Sequence, residues 1–507
     1  MKVTILSTSD IHGHFTSENY KNPGETLSAG LSRAASVIEE ERSRALNPVI
    51  YIDNGDLTQG SPLAKLYSDH DAPRKLMKGI NTLRPDAGTL GNHEFNFGRD
   101  YLEKSMYSAS HLTVLGNVLI NGKPAFGPAY MTKTFGAVKV GILGLTSPVV
   151  KQWENPDHIK GMQFIPALEA AERWIPLLKE QEKCDVVVVA YHGGFEKNPR
   201  TGEEIEGLPG ENEAYALLKS DLPIDVLITG HQHKVCAEII DGRAVLQSGI
   251  YGEAVGKIVL EFERGEDNQI QSEVISCENI MTNDYPEAKD IKEIYEEDIR
   301  NLQEYLSREV GQVSDDFVVE DVYQAQVEGH AYIDLINDIQ LEAMEADISA
   351  TSFFNDQVKG LPSTVTQRDL YYQYPFPAIL SKVLITGRQL KELLEENATY
   401  FTADEDGGVQ VAEKYTSVKD FVSFYDLYRG IDYEYDFSQP EGNRLVRLEK
   451  SNQVILDDDE LELVVNSYGN YVGKHYPEYF EDKLAARKSF EMADLMSHYI
   501  QKHGPLV

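Results

Sequence analysis

Short apolar runs alternate with amphipathic stretches through the first half of the chain. Val3–Leu6 has the length of a strand, and Leu31, Ala34, Ala35 and Ile38 then recur at helical spacing. Val49–Ile52 predicts the next strand, followed by a helix bearing Leu76, Met77, Ile80 and Leu83. Runs at Val138–Leu145, Val186–Val189, Val226–Ile228 and Lys257–Phe262 continue the series, with helical stretches between several of them. Repeated strand–helix units predict an α/β layered domain over roughly residues 1–265. Gly265-Glu266-Asp267-Asn268 then reads as a polar turn.

The pattern changes in the second half. From Tyr285 to Val313 the chain is charged and helix-prone, with Ile291, Ile294, Tyr295, Ile299 and Leu302 on one face, which predicts a connecting helix. An amphipathic helix over His330–Ala346 opens a second domain. Strand-like runs follow at Ser381–Ile385 and Leu461–Asn466, with a terminal helix near Phe490–Gln501. A chain of 507 residues exceeds what one hydrophobic core usually serves, so two domains agree with the length. There is no internal repeat and no low-complexity segment.

Composition narrows the partners. Hydrophobic residues make up 41% and charged residues 26%, the balance of a folded globular chain. The formal net charge is −36, which repels phosphate backbones and anionic lipid, so neither polymeric nucleic acid nor membrane is an expected partner. Part of the excess falls on predicted helices, as in Glu39-Glu40-Glu41 and Glu296-Glu297-Asp298. No run approaches the ~18 apolar residues of a membrane span. Met1-Lys2 leads directly into a short strand-like run with no secretory leader, so the expectation is a cytoplasmic chain, or a secreted one if a leader precedes this start. Cys184, Cys236 and Cys277 form no disulfide framework. A chain this acidic that handles anionic substrates needs positive charge its sequence does not encode.

Five polar clusters follow apolar runs of the first half. They are Asp10-Ile11-His12, Asn54-Gly55-Asp56, Gly91-Asn92-His93-Glu94, Tyr191-His192-Gly193-Gly194 and Gly230-His231-Gln232-His233. Each alone is unremarkable in kind: Asn-Gly-Asp is a turn signal, and a His after a buried strand is usually a hydrogen-bonded core residue. Together, at the carboxyl ends of strands in an α/β sheet, they converge on the crevice where ligands bind. Imidazole and carboxylate in one site suit Mn²⁺, Fe, Zn²⁺ or Co²⁺ better than an all-oxygen Mg²⁺ or Ca²⁺ cage. One carboxylate shared by two ions gives the arrangement used for in-line displacement at phosphorus.

These clusters resemble the signature of the calcineurin-like metallophosphoesterases. The variant Asn92-His93-Glu94-Phe95-Asn96, with the second domain, resembles the 5′-nucleotidase family over nearly the whole chain. The resemblance implies an N-terminal four-layer α/β/β/α domain over 1–280, a connecting helix over 281–315 and an α+β substrate-specificity domain over 316–507. It implies two divalent metal ions, one held by Asp10, His12, Asp56 and His233, the other by Asp56, Asn92, His192 and His231. His93 would face the phosphoryl group, stabilise the transition state and assist the leaving oxygen, so Asn92 and His93 are the catalytic candidates. Relatives often carry Asp where Asn96 stands; Asn96 can hydrogen-bond the ring but brings no charge.

Ala343–Ile348, Asp369–Tyr374 and Leu384-Ile385-Thr386-Gly387 look most like the 2′,3′-cyclic-nucleotide 2′-phosphodiesterase/3′-nucleotidase branch. By that likeness Tyr425 and Tyr468 would sandwich a base. The implied function is hydrolysis of nucleotide phosphoesters, 2′,3′-cyclic, 3′ or 5′, by metal-bound hydroxide. Alternatives are hydrolysis of another small ester such as a nucleotide sugar, or nucleotide binding with reduced turnover. They arise because Ser352-Phe353-Phe354-Asn355-Asp356 stands where relatives carry an Arg-bearing element, and Ala378 where they carry Asn.

Overall fold

A computed structural model describes residues 1–205, 210–265, 270–374, 378–403, 408–416, 421–466 and 483–506. The chain forms two compact units, Met1–Gln303 and Glu304–Val507.

The first unit contains two six-stranded sheets. In one, Ile270–Met281 and Ala254–Arg264 form an antiparallel edge beside four parallel strands, Lys2–Thr8, Val49–Asp53, Ala87–Gly88 and Leu112–Thr113. In the other, the order is Val235–Ile240, Arg243–Ser248, Val226–Thr229, Val186–His192, Val138–Thr146 and Tyr130–Phe135, parallel except at its two edges. The strand period of two sets the layers. Val186, Val188 and Ala190 join Val3, Ile5, Ile50 and Ile52 in the core between the sheets. Their neighbours Val187, Val189 and Tyr191 point the other way, onto Ala171, Ile175 and Leu178 of helix Ala167–Glu180. A strand covered on both faces has no polar alternation, which is why Val186–Val189 reads as a continuous apolar run. Helix Leu31–Arg44 buries Leu31, Ala34, Ala35, Val37 and Ile38.

The apolar positions Leu76, Met77, Ile80 and Leu83 serve two short helices, Pro73–Leu76 and Lys78–Leu83, where the spacing predicts one. The polar segment after Gly265 lies outside the described residues from 266 to 269; the strands on either side pair at Arg264 and Ile270. Helix Lys289–Leu306 buries Ile291, Tyr295, Ile299 and Leu302. The Tyr295 hydroxyl donates to Leu76 O at 2.9 Å and accepts from Gly79 N at 2.7 Å, so the helix is anchored on the first unit.

The second unit is built on a five-stranded mixed sheet in the order Leu427–Arg429, Ile348–Thr351, Glu460–Asn466, Ala378–Thr386, Leu484–Phe490. Val464 and Leu380 face a core shared with helices Ala331–Met344 and Met492–His503. Leu463, Val465, Val383 and Ile385 face the opposite side, against Leu390, Leu393 and Leu394 of helix Gly387–Asn397. His330 caps its helix by accepting from Tyr332 N at 3.1 Å. Among the described residues no helix is long and apolar enough to cross a membrane.

Candidate metal centre

The five clusters emerge at one end of the two sheets of the first unit. Asp10 follows Lys2–Thr8, Asp56 follows Val49–Asp53, Asn92 follows Ala87–Gly88 and His231 follows Val226–Thr229, while His192 is itself the last residue of its strand. The chain must turn sharply to aim these side chains inward. Asp10, His12, Asp56, His231 and His233 all adopt left-handed backbone, with φ of 55°, 50°, 53°, 69° and 57°. Such residues cost of order 1–3 kcal/mol each and persist where the surroundings hold them. Glycines provide the room: a Cβ on Gly91 would collide with Asp56 Oδ1, and one on Gly230 with Ser9 Oγ.

Two sets of donors result. Asp10, His12 and His233 bring ligand-type atoms within 4.8 Å of one another, and so do Asp56, His192 and His231; His12, Asp56 and His93 form a third such group across the two. Asp56 Oδ2 lies 3.0 Å from His192 Nε2 and 3.8 Å from His12 Nε2, so it stands between the sets. The imidazoles are oriented from behind. His12 Nδ1 donates to Gln59 O and His192 Nδ1 to Asn54 O, both at 2.7 Å, which turns each Nε2 into the pocket in the manner of metal-binding histidines. His231 N donates to Asp10 Oδ1 at 3.1 Å.

The pocket is short of internal partners. Asn92 Oδ1 is buried and makes no hydrogen bond within the described residues, while the buried Asp56 Oδ2 and His192 Nε2 face each other at 3.0 Å. Buried lone pairs left unpaired are costly, and their convergence is what a cation relieves. The charges agree. Burial pulls the His192 imidazole down, yet Asp56 and Asp10 outweigh it and hold its pKa up to about 10. Burial pushes Asp10 up to about 6. Burial acts upward on Asp56 too, but His192 and His93 hold it well below the usual carboxylate range. His12 and His233 are depressed chiefly by burial, His233 to about 4, and so offer neutral imidazoles. These oxygen and imidazole donors fit divalent metal ions.

His93 sits at the rim. Its backbone N–H donates to Asp56 Oδ1 at 2.8 Å, its ring meets the His12 ring edge-on at 5.1 Å, and Nδ1 is 2.6 Å from Asn96 Oδ1. Three acidic residues around the pocket carry no signal in the sequence that assigns them a task. Glu94 accepts from the backbone N–H groups of Asp56, Leu57, Thr58 and Gly91 at 2.7–3.0 Å, tying two of the loops together. Glu211 Oε1 lies 3.0 Å from His231 Nε2. Glu154 Oε2 accepts from Asn96 Nδ2 at 2.7 Å. Glu94 stands inside a recognisable motif; Glu154 and Glu211 come from loops without one.

The tyrosine pair lies in the second unit. Tyr425 is 5% exposed, with its ring stacked on Tyr400 at 5.4 Å and edge-on to Phe401 at 4.8 Å. Tyr468 falls outside the described residues. Phe353 and Ala378 are buried, and Phe354 packs edge-on against Tyr374 at 4.5 Å.

Known proteins share both the motifs and the architecture. The calcineurin-like phosphoesterase family matches residues 3–235, and the 5′-nucleotidase C-terminal domain matches 309–480. The chain is 26% identical to a Bacillus subtilis trifunctional nucleotide phosphoesterase protein over 98% of its own length but spans only 38% of that protein. It is 25% identical to a Haemophilus influenzae 2′,3′-cyclic-nucleotide 2′-phosphodiesterase/3′-nucleotidase, covering 98% of this chain and 84% of the other. A Staphylococcus aureus structure described as a candidate 5′-nucleotidase, solved with alpha-ketoglutarate, superposes with a TM-score of 0.85 at 30% identity, over 99% of this chain and 97% of that one. With motifs, topology and both domains in agreement, the chain belongs to the calcineurin-like phosphoesterases that carry a 5′-nucleotidase C-terminal domain, and it is a phosphoric ester hydrolase.

Proposed function

We propose that the chain hydrolyses phosphoesters of small nucleotides, 2′,3′-cyclic, 3′ or 5′, at a dinuclear metal centre. The observation that carries this reading is the convergence of Asp56 Oδ2, Asn92 Oδ1 and His192 Nε2 in one buried pocket, where Asn92 Oδ1 has no hydrogen-bond partner in the described residues and the other two have each other. Asp10, His12, Asp56 and His233 would hold one ion, and Asp56, Asn92, His192 and His231 the other. When bound, the pair supplies Lewis acidity and the positive charge that a −36 chain lacks. Asp56 lies between the sets and would serve both. Asn54 O and Gln59 O keep the imidazoles of His192 and His12 turned inward. His93, its Nδ1 engaged by Asn96, would serve the leaving oxygen from Nε2: a water oxygen bonds to phosphorus, the ester P–O bond breaks, and the leaving oxygen takes the proton carried on Nε2.

The test is a substrate panel. Full-length protein supplemented with Mn²⁺, its metal content measured, is given 2′,3′-cyclic, 3′- and 5′-nucleotides and a nucleotide sugar. Hydrolysis of at least one nucleotide is expected, abolished by a chelator and reduced ~10²–10⁴-fold by His93→Ala. A metal-loaded protein that turns over no member of the panel overturns the reading.

The segment around Phe353 favours a second assignment on the same centre. Ser352–Asp356 has no cationic side chain, and Phe353 and Ala378 are packed away. This departure motivates hydrolysis of another small ester, such as a nucleotide sugar, as the second reading. The ratio of turnover across the panel decides between them, and tight nucleotide binding without product would mark reduced turnover.

A further inference from the structure

We propose that Glu154 is a positioning residue for His93: acting through the Asn96 amide, it fixes which imidazole nitrogen carries the hydrogen. This deepens the phosphohydrolase reading above and rests on it for the role of His93. Glu154 arrives from a sixth strand that contributes no recognisable motif. Strand Val138–Thr146 runs parallel to Val186–His192, with Thr146 beside His192, so the chain leaves it on the side where the metal-type residues gather. A short helix, Val150–Trp153, ends with Glu154 N donating to Val150 O at 2.9 Å, and the carboxylate is buried, 6% exposed.

The hydrogen bonds then leave little choice. Glu154 Oε1 accepts from Asn155 N at 2.7 Å and faces His158 Nδ1 at 2.8 Å, while Oε2 stands 2.7 Å from Asn96 Nδ2. A carboxylate accepts and does not donate, so Asn96 must turn its NH₂ toward Glu154. Its carbonyl oxygen therefore faces His93 Nδ1, at 2.6 Å, and Nδ1 must hold a hydrogen. With Nδ1 keeping its hydrogen, the proton the ring takes up and passes to the leaving oxygen is the one on Nε2, and the neutral ring left behind is the Nδ1–H tautomer. The two ends of an amide have nearly the same shape, so without a charged acceptor behind it Asn96 could offer its NH₂ to the ring and select the opposite tautomer.

Two substitutions isolate the effect. Glu154→Gln keeps the shape but can either donate to or accept from Asn96, so the amide loses its orientation. Asn96→Asp combined with Glu154→Gln moves the carboxylate to position 96, where it accepts from both neighbours. With a poor leaving group, Glu154→Gln should lower kcat ~10–100-fold with KM little changed. A nitrophenyl ester, whose leaving group needs no proton, should lose much less. The double variant should regain most of the loss. A single variant at wild-type kcat, or a double variant no better than the single, overturns the proposal. Nitrogen-15 spectra of His-labelled, Zn²⁺-loaded protein read the ring without any turnover. His93 is expected with hydrogen on Nδ1 in the wild type and in a mixed state in Glu154→Gln. A wild-type spectrum with the neutral ring protonated at Nε2 alone overturns it. If wild-type protein hydrolyses nothing, the functional reading fails, and the spectra still decide this one.

Discussion

The metal pocket and the aromatic cluster around Tyr425 are both buried, yet they bury opposite kinds of atom. In the pocket, Asp10, Asp56 and His192 are fully enclosed, with left-handed backbone at five positions, charges crowded together and an Asn92 oxygen that meets no donor within the described residues. Around Tyr425, the rings of Tyr400, Phe401 and Tyr415 meet edge to face or stacked within 5.4 Å of a neighbouring ring. One arrangement lowers stability and makes sense only with something bound; the other raises it and needs nothing. Burial of a candidate residue is therefore not informative alone. What decides is whether its polar atoms are satisfied.

Removing the shared carboxylate tests the first half of that contrast and should give the largest effect. Asp56→Asn keeps an acceptor for His93 N but takes away the negative charge that both donor sets share. We expect kcat/KM to fall on the order of 10³–10⁴-fold, with metal content below two ions per chain. The metal-free protein should unfold at a lower temperature, because the fold holds this carboxylate ionised beside His192 and its removal leaves that buried imidazole's charge unpaired. Full activity with two ions per chain in the variant would break the contrast.

Tyr425→Ala tests the other half. Truncating a buried aromatic costs about 3–5 kcal/mol in stability. Denaturant unfolding should show a loss of that size, exceeding any change in KM. Unchanged stability with a raised KM for nucleotides would instead make the Tyr425 ring a binding face.

The same contrast explains what the sequence discloses. Strands such as Val186–His192 announce themselves because both faces are buried, and the metal-type clusters because each follows such a run. What stays hidden is orientation. No spacing rule reveals that His231 and His233 need left-handed backbone, or that Asn54 O and Gln59 O aim the imidazoles. Glu154 and Glu211 reach the pocket from loops with no motif, brought there by strand order alone. In the second unit an aromatic residue looks the same in a sequence whether it packs in a core or waits for a base, and the chain has 28 tyrosines. The helix over Lys289–Leu306 is plain from its apolar face, but its anchoring through the Tyr295 hydroxyl to Leu76 and Gly79 is a tertiary fact.

Glu94 lies between the two extremes, a buried carboxylate whose oxygens are satisfied. It accepts from four backbone N–H groups and from the Thr58 hydroxyl, and so clamps the Asp56 loop to the Asn92 loop. Glu94→Gln would turn an NH₂ toward donors. A loss of about 2–3 kcal/mol, the cost of leaving buried groups unpaired, is expected by thermal unfolding, with metal affinity ~10–100-fold weaker by titration. Loss of stability without loss of metal affinity would separate the clamp from the centre.

The smallest effect should come from Asp53, where satisfaction depends on pH. Burial first, then the Glu94 carboxylate, push Asp53 up to about 8. Its Oδ1, with Thr89 Oγ1, Ser105 Oγ and His111 Nδ1, makes no hydrogen bond within the described residues, and all four residues line a cavity of about 30 Å³, room for one water. A raised pKa means the folded state holds its proton more tightly than the unfolded chain. Its contribution to stability is complete below the ordinary carboxylate pKa of 3.8 and is lost progressively as pH rises to about 8. Asp53→Asn copies the protonated shape without a proton to lose. The variant should therefore unfold at a higher temperature than wild type at pH 8, by roughly 1–2 kcal/mol once a cavity water relaxes around the charge, and the gap should close toward pH 4. A gap independent of pH would mean that Asp53 is charged and satisfied in the fold, like Glu94, and would move it to the other side of the comparison.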